Sequence, residues 1–301
     1  MGSFARMSGN MAAVALAGAA LTATLPAAQA QAIAGLQSIT VPCSTSALVA
    51  AINTANSSGA AAVVLSANCT YDITTPATVA DGLPVITGRI SLAGGANTVI
   101  RRSPAALSAF RILDVAAGGT LSLHSIAVLN GRTAGLGGGI QNAGNLVISQ
   151  ARLSGNTAGN GGAVANLAGA TAKVSDTRIS ANDTTGVGGG GIINSGTLTV
   201  AGSVLSGNTA PINGGGVNTQ AAGISQISQS TIVSNVSGSL GGGISNLGTT
   251  SLDGTRVELN KGSAGGGIAT ANNNVTLGNS IVRYNTPDNC SPLGTIPGCA
   301  G

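Results

Sequence analysis

The acidic side chains are the first candidates for catalytic residues, because enzymes that cleave glycans use paired carboxylates. The sequence holds eight of them, spread from Asp72 to Asp288. A glycosidase needs two carboxyl groups about 5–9.5 Å apart on one exposed face. Where strands stack about 4.8 Å apart, such a pair must occupy matching positions one or two strands apart. No two of the eight meet this condition in the repeat described below, which argues against a glycosidase.

One mixed cluster of charged residues remains, formed by Arg152, Asp176 and Arg178. The two arginines occupy the same position of successive repeats, and Arg256 takes that position three repeats later. An arginine base beside carboxylates that hold Ca²⁺ is the machinery of a polysaccharide lyase. Asp176 and Arg178 are two residues apart, which predicts that they share one face of a strand. The other interpretation is a solvated polar stripe on that face, and the sequence favours it.

The remaining chemical groups are sparse. Arg89, Arg101, Arg102 and Arg111 form a second basic group, which predicts either contact with an acidic glycan or a soluble surface. His124 has no Cys or second His nearby, so no metal centre or catalytic triad can be built on it. We therefore expect no cofactor. The chain has two Tyr, two Phe and no Trp, so it offers few aromatic faces for stacking sugar rings.

These residues belong to an internal repeat of about 25 residues. In each repeat an apolar residue is followed by two variable positions and then by Asn. In the first motif the apolar residue is Ala127 and the Asn is Asn130. We expect the Asn side chains to stack as a structural ladder that comprises Asn130, Asn156, Asn182, Asn208, Asn235, Asn260 and Asn285.

A second motif, two glycines followed by a β-branched residue, recurs in step with the first. Gly138-Gly139-Ile140 and Gly190-Gly191-Ile192 are examples, and we predict that the glycine pairs form corners with positive φ. Short alternating stretches between the motifs predict about three strands per repeat. A unit of this size cannot close a core alone, but stacked units can. The sequence thus predicts an all-β fold, a right-handed parallel β-helix of about nine or ten coils with a short N-terminal helical cap.

The N-terminus reads as a secretory signal peptide over residues 1–30. Arg6 is its only charged residue, a small apolar run follows, and cleavage is expected near Ala30 or Ala32. The alternative is a membrane anchor, but the run is short and rich in Ala and Gly. We expect a mature chain without a membrane span, secreted or held at the cell surface.

Four cysteines fit such an oxidising compartment. Three pairings are possible, and we predict Cys43–Cys69 with Cys290–Cys299, because the segment between the two pairs reads as a long rod. Metal ligation is the rival interpretation, but neither spacing suits a zinc site. The expected organisation is an N-terminal cap with the first strands over residues 31–80, coils over 81–285 and a disulfide-bearing C-terminal cap over 286–301.

The paired motifs, such as Gly242-Gly243-Ile244 and Ile232-Val-Ser-Asn235, resemble those of secreted bacterial parallel β-helix repeat proteins. They are similar in particular to the repeats of chlamydial polymorphic membrane proteins, with Leu or Ile where that family favours Phe. The cysteine-flanked N-terminal block and the ending Asn285 to Cys290 resemble exported actinobacterial members. The resemblance implies the β-helix fold. It implies little about function, since lyases, hydrolases and adhesins share that fold.

The low content of charged residues argues against one class of function, nucleic-acid binding. Charged residues make up 7% of the chain and the net charge is +4, too little for a phosphate-binding surface, so nucleic acid is not an expected partner. We predict an exported, non-catalytic structural or adhesive protein whose partner is a cell-surface polysaccharide or protein. The alternative is a polysaccharide lyase or glycoside hydrolase of the pectate-lyase-like fold that uses Arg152, Asp176 and Arg178. Repeats of nearly constant length favour the first interpretation, because enzymes of this fold carry long loops.

Overall fold

A computed structural model describes residues 37–299 of the chain. The predicted signal peptide and its cleavage sites lie outside these residues. One helix, Thr45–Ser58, is present in this part of the chain, at the place of the predicted N-terminal helical cap. Ser44 caps its N-terminus, and Gly59 ends it in a left-handed conformation with φ 79°. Its apolar side packs on the first strands, and Leu48 and Ile52 are fully buried there.

The rest of the described chain is a parallel β-solenoid of about ten turns, here called coils. The coils contribute strands to three long stacks, and four central coils also contribute a strand to a fourth, short stack. Sheet 1 has ten strands: Gln37–Val41, Ala60–Leu65, Arg89–Ala93, Thr120–His124, Asn145–Ser149, Thr171–Ser175, Thr197–Ala201, Ile224–Ser228, Thr249–Asp253 and Val275–Gly278. Sheet 2 has nine: Thr70–Ile73, Val99–Arg102, Ala127–Leu129, Arg152–Ser154, Arg178–Ser180, Val204–Ser206, Thr231–Val233, Arg256–Glu258 and Ile281–Arg283.

The two remaining stacks complete each coil. The short sheet has four strands: Thr157–Ala158, Asp183–Thr184, Thr209–Ala210 and Val236–Ser237. Sheet 3 has eight: Leu113–Val115, Ile140–Asn142, Val164–Asn166, Ile192–Asn194, Val217–Thr219, Ile244–Asn246, Ile268–Thr270 and Cys290–Ser291. The β-fold and the N-terminal helix predicted from the sequence are thus confirmed.

Apolar side chains alternate with polar ones along each strand, so one set turns inward and stacks from coil to coil. The central inward row of sheet 2 shows this with Ile100, Val128, Leu153, Ile179, Leu205, Ile232, Val257 and Val282. The predicted row placed Ala127 in the first regular coil, and this was wrong by one residue. Leu153 pairs with Val128, and Ala127 lies opposite Arg152.

The same shift removes Asn130 from the predicted ladder. Leu129 pairs with Ser154, so Asn130 lies opposite Gly155, and the next residue, Gly131, takes the ladder position. The backbone of Asn130 has φ 60°, and its neighbour Gly155 has φ 66°. The Gly131 N–H donates to Asn156 Oδ1 at 2.9 Å, so the ladder begins with a backbone group. The coil from Gly131 to Asn156 is therefore one residue shorter than the spacing from Asn130 to Asn156 suggests.

The other six ladder residues form one buried chain of hydrogen bonds. Asn182 is typical: its Nδ2 donates to Asn208 Oδ1 at 2.9 Å and to the Leu153 carbonyl at 3.1 Å. Its Oδ1 accepts from the Asn156 backbone N–H at 3.0 Å and from Asn156 Nδ2 at 2.9 Å. The amide is therefore fully partnered inside the solenoid, which is what a buried polar group requires.

The glycine pairs lie against this ladder, and that contact explains why the two motifs run in step. A Cβ on Gly191 would lie 2.5 Å from the Gly216 carbonyl oxygen and 3.4 Å from the Asn208 side chain. Positive φ was predicted for the glycine pairs, and in most coils this was wrong by one residue. The left-handed residue is the glycine before the pair, as at Gly189 with φ 73°. The pair itself is required by close approach of neighbouring coils.

Both predicted disulfides are present. Cys43–Cys69 joins the start of the helix to the first coil, and Cys290–Cys299 closes the C-terminal cap. Within residues 37–299, no helix has the length and apolar character needed to cross a membrane.

Candidate functional site

The predicted arginine cluster lies on the outer face of sheet 2. Arg152 and Arg178 are Cα partners on adjacent parallel strands, and both are exposed. Arg256 shares their position three coils further on, as the spacing predicted. Within residues 37–299, four ion pairs form, and none involves these three arginines: Arg101–Asp72, Arg111–Asp81, Arg111–Asp114 and Arg283–Glu258. Arg152 and Arg178 therefore present two neighbouring guanidinium groups to solvent.

Asp176 does not join them, and its predicted place on the Arg178 strand was wrong. The preceding strand of sheet 1 ends at Ser175, and Asp176 forms the corner between sheets with φ 48°. One of its carboxylate oxygens, Oδ1, points along the corner towards the next coil, where a Cβ on Gly202 would lie 2.8 Å from it. The left-handed corner turns the chain, so the two-residue periodicity of a strand does not continue through it.

This corner carries a row of residues, seven of them polar, whose left-handed conformation was not predicted from the sequence. Nine successive coils place a left-handed residue there, with φ between 48° and 56°: Asn68, Asn97, Ser125, Gln150, Asp176, Gly202, Gln229, Gly254 and Asn279. Asn, Asp and Gly accept this conformation most readily. A regular recurrence of such residues six positions before the ladder, allowing for the one-residue shift at Asn130, was the signal available in the sequence.

A groove with a volume of about 540 Å³ runs over the corner at coils three to five. The loop from Gly94 to Thr98 forms one side, and Arg152 stands at the other end. The polar side chains of its lining are the Asn97 and Gln150 amides and the Ser125 hydroxyl. The structure thus brings Arg152, of the predicted cluster, to a groove of neutral hydrogen-bonding groups.

The second basic group predicted from the sequence is largely engaged within the fold. Arg101 forms a two-pronged ion pair with Asp72, at 3.0 and 3.1 Å. Arg102 donates to the carbonyls of Ser108 and Ala106 and lies 5.5 Å from the Phe110 ring centre. Of the group, Arg89 remains as an exposed arginine on sheet 1. A continuous basic surface at the N-terminal coils is therefore not formed.

Arg111 belongs to a buried ionic network beneath the long loop of residues 74–88. Its Nη1 donates to Asp81 at 2.7 Å and to Asp114 at 3.3 Å, while Nε donates to the Leu136 carbonyl. Gln141 adds a bond to Asp114 at 3.2 Å. Burial, reinforced by the charge of Asp81, raises the pKa of Asp114 against the opposing effect of Arg111.

This network was not predictable from the sequence, because its members lie outside the regular repeat. Asp81 comes from the loop, and Arg111 forms an isolated bridge with it before the first strand of sheet 3. Their proximity depends on the path of a loop, which no period in the sequence encodes. The network binds the loop to the edge of sheet 3, and it places two carboxylates around one guanidinium.

The described residues 37–299 contain no group of three or more His, Cys, Asp or Glu side chains placed to hold a metal ion. The lining of the corner groove offers hydrogen bonds from neutral polar groups, with the charge of Arg152 at one end. In comparisons of the chain with protein-family models, curated proteins and solved structures, none matches.

Proposed function

We propose that the protein is an exported, non-catalytic structural or adhesive protein of the cell surface or medium that contacts an acidic polysaccharide. The observation that carries this proposal is the pair of exposed arginines, Arg152 and Arg178, beside the corner groove. A guanidinium group holds a carboxylate or sulfate through two parallel hydrogen bonds. Two such groups on adjacent strands suit successive charges of a polymer.

The neutral lining of the groove supports the same ligand. Amide and hydroxyl groups from Asn97, Ser125 and Gln150 can donate to and accept from sugar hydroxyls. They come from neighbouring coils, so they repeat at the strand spacing of about 4.8 Å. A chain of sugar units is a ligand that presents hydroxyl groups at repeated intervals.

Export is supported by three features taken together. Two disulfides are compatible with an extracellular location. Residues 1–30 have the pattern of a signal peptide. The resemblance of the repeats to those of chlamydial polymorphic membrane proteins adds a family whose members are exported.

The alternative function is that of a polysaccharide lyase or glycoside hydrolase. The observation in its favour is that Arg152, a residue type that lyases use as base, lines the groove. Release of unsaturated or reducing ends from a panel of acidic and neutral polysaccharides, with and without Ca²⁺, tests it. Turnover that disappears in Arg152→Gln would establish the enzyme and overturn the non-catalytic proposal.

Binding is tested by titrating immobilised acidic polysaccharides, polygalacturonate among them, with the purified protein at low and high salt. We expect the double variant Arg152→Gln/Arg178→Gln to bind at least about tenfold more weakly, because it loses both charge-assisted contacts. Arg256→Gln is the matched control, since Arg256 has the same strand position but lies outside the groove. Equal weakening by the control, or none in the double variant, would refute the proposed surface.

A further inference from the structure

The polar residues of the corner groove and the two arginines beside it are arranged in order along the solenoid axis. Asn97, Ser125 and Gln150 take the corner position of three successive coils; the first and last are exposed, and Ser125 is half-buried. Arg152 lies two residues after Gln150, at the start of its sheet 2 strand, and Arg178 takes the same position in the next coil. The surface therefore extends over four coils, which are about 4.8 Å apart.

The half of this surface nearer the N-terminus is neutral. Among the described residues that line the groove, Arg152 alone carries a charge. The two preceding coils have Val99 and Ala127 in the strand position of Arg152. Arg101, two residues after Val99, is already paired with Asp72 at 3.0 Å. An anionic group placed in this half would lose water without gaining a cation, so this half suits uncharged sugar units.

The other half carries two positive charges and then ends. Arg152 and Arg178 form no ion pair within residues 37–299, so each can hold an anionic group of a ligand. The next two coils have Val204 and Thr231 in the same strand position. Asp176 is exposed on the corner beside Arg178, and its Oδ1 points towards the following coil. A third anionic group past Arg178 would therefore meet no arginine in this row and would be repelled by Asp176.

We propose, building on the proposed function, that this surface recognises a segment of about four sugar units in which two neutral units are followed by two acidic ones. A pyranose unit is comparable in length to the spacing of the coils, about 4.8 Å, so one unit lies over each coil. The ligand runs parallel to the solenoid axis. Its neutral units place hydroxyl groups on Asn97, Ser125 and Gln150, and its acidic units place carboxylates on Arg152 and Arg178. The surface thus selects the order of charges along the ligand rather than their number.

The test is a calorimetric titration of the full chain with oligogalacturonides of defined length and charge. The fully acidic dimer and tetramer are compared with two tetramers in which the two units at one end, or at the other, are methyl-esterified and hence neutral. We expect one half-esterified tetramer to bind at least as tightly as the fully acidic tetramer, because its neutral units occupy the neutral half. This preferred tetramer should bind at least about tenfold more tightly than the acidic dimer, since it adds the groove contacts.

Variants at the corner separate the groove from the arginines. Asn97→Gly/Gln150→Gly removes the groove amides at a left-handed position that also accepts glycine, as Gly202 shows. This double variant should bind the preferred tetramer at least about tenfold more weakly and the acidic dimer like the unaltered chain. Gln229→Gly is the matched control, because Gln229 takes the same corner position in a later coil, outside the groove. It should bind all four ligands like the unaltered chain.

Three results would overturn this inference. The first is that both half-esterified tetramers bind more weakly than the fully acidic one, which would show that the number of charges decides the affinity. The second is that the tighter half-esterified tetramer gains less than about tenfold over the dimer. The third is that Asn97→Gly/Gln150→Gly loses less than about tenfold, or no more than Gln229→Gly does.

Arg152→Gln/Arg178→Gln distinguishes these results from a failure of the proposed function. If this variant binds every ligand like the unaltered chain, or if no ligand binds the unaltered chain, the arginine surface itself is wrong. If the variant weakens the binding of all four ligands while one of the three results above is obtained, the arginine surface stands and only the order of neutral and acidic units is wrong.

Discussion

At the scale of single residues, buried polar groups in this protein fall into three kinds that differ in their partners. The Asn182 amide is completely hydrogen-bonded, the Asn218 amide has no partner in the described chain, and Asp114 shares Arg111 with Asp81. The first kind stabilises the stack of coils, because each amide satisfies its neighbours on both sides. The second kind destabilises the fold, because a buried amide without a hydrogen-bond partner costs free energy. The third kind makes stability depend on pH.

The pH dependence follows from the raised pKa of Asp114, whose ordinary value is 3.8. A carboxyl with a raised folded-state pKa contributes stability below its ordinary pKa, and that contribution is lost as the pH rises through the folded-state value. Asp114→Asn removes this titration. We expect the variant to gain stability relative to the unaltered protein as the pH rises from about 4, and then to level off. Urea unfolding at a series of pH values measures the difference.

Arg111→Met is the comparison for this experiment. It leaves Asp81 and Asp114 buried without a cation, which costs about 3–5 kcal/mol at neutral pH. If Asp114→Asn instead became steadily less stable than the unaltered protein with rising pH, the ionised Asp114–Arg111 pair would be net stabilising and the stated direction would be wrong.

At the scale of elements, glycines act in two distinct ways that their type alone does not separate. Gly190 has ordinary φ, but a Cβ there would lie 2.4 Å from the Thr209 carbonyl oxygen. Gly207 has φ 61° and open space around its missing side chain. Its equivalents in other coils are Ala181, Ser234, Leu259 and Tyr284, all left-handed as well. Packing requires the first glycine, whereas the second only eases a left-handed conformation that other residue types also adopt.

We therefore expect Gly190→Ala to lower the free energy of unfolding by about 3 kcal/mol, because the neighbouring backbone must move. Gly207→Asn should cost less than about 1 kcal/mol, since Asn accepts a left-handed backbone. Chemical denaturation followed by circular dichroism compares the two. Similar losses in both variants would contradict the distinction between packing and conformation.

At the scale of the whole molecule, each coil contacts mainly the coil before it and the coil after it, so the two ends need separate protection. The helix Thr45–Ser58 packs on the first strands, and the cap closed by Cys290–Cys299 follows the last. Exposed edges of β-sheets pair readily with other chains. The disulfides hold both coverings in place, and the one at the N-terminus spans the longer loop.

Replacing both Cys43 and Cys69 with Ala should lower the free energy of unfolding by roughly 3.5 kcal/mol, because a cross-link across 26 residues restricts the unfolded chain. The corresponding change at Cys290 and Cys299 should cost roughly 2.6 kcal/mol, since that loop spans 9 residues. Denaturant unfolding of the two double variants measures this order. A reduced protein as stable as the oxidised one would show that neither bond stabilises its cap.

The repeat in the sequence determined the fold and most of the register without help from the structure. Side chains such as Leu153, Ile179 and Leu205 recur at the coil length, and stacking is the arrangement that buries all of them. The same period aligned Arg152 with Arg178 correctly. The cysteine positions also sufficed, because a rod between the two pairs leaves only local partners within reach.

Only the tertiary structure decided where the period is broken and what the breaks bring together. The shift at Asn130, the left-handed corner at Asp176 and the loop that carries Asp81 follow from local backbone paths. The small cavity that Asn213, Leu240 and Pro292 line likewise depends on how the C-terminal cap meets the coils. Contacts that recur in every coil can be predicted from the spacing of residues in the sequence, because each repeat has the same geometry. A contact made once depends on the whole folded chain, and no second copy in the sequence reveals it.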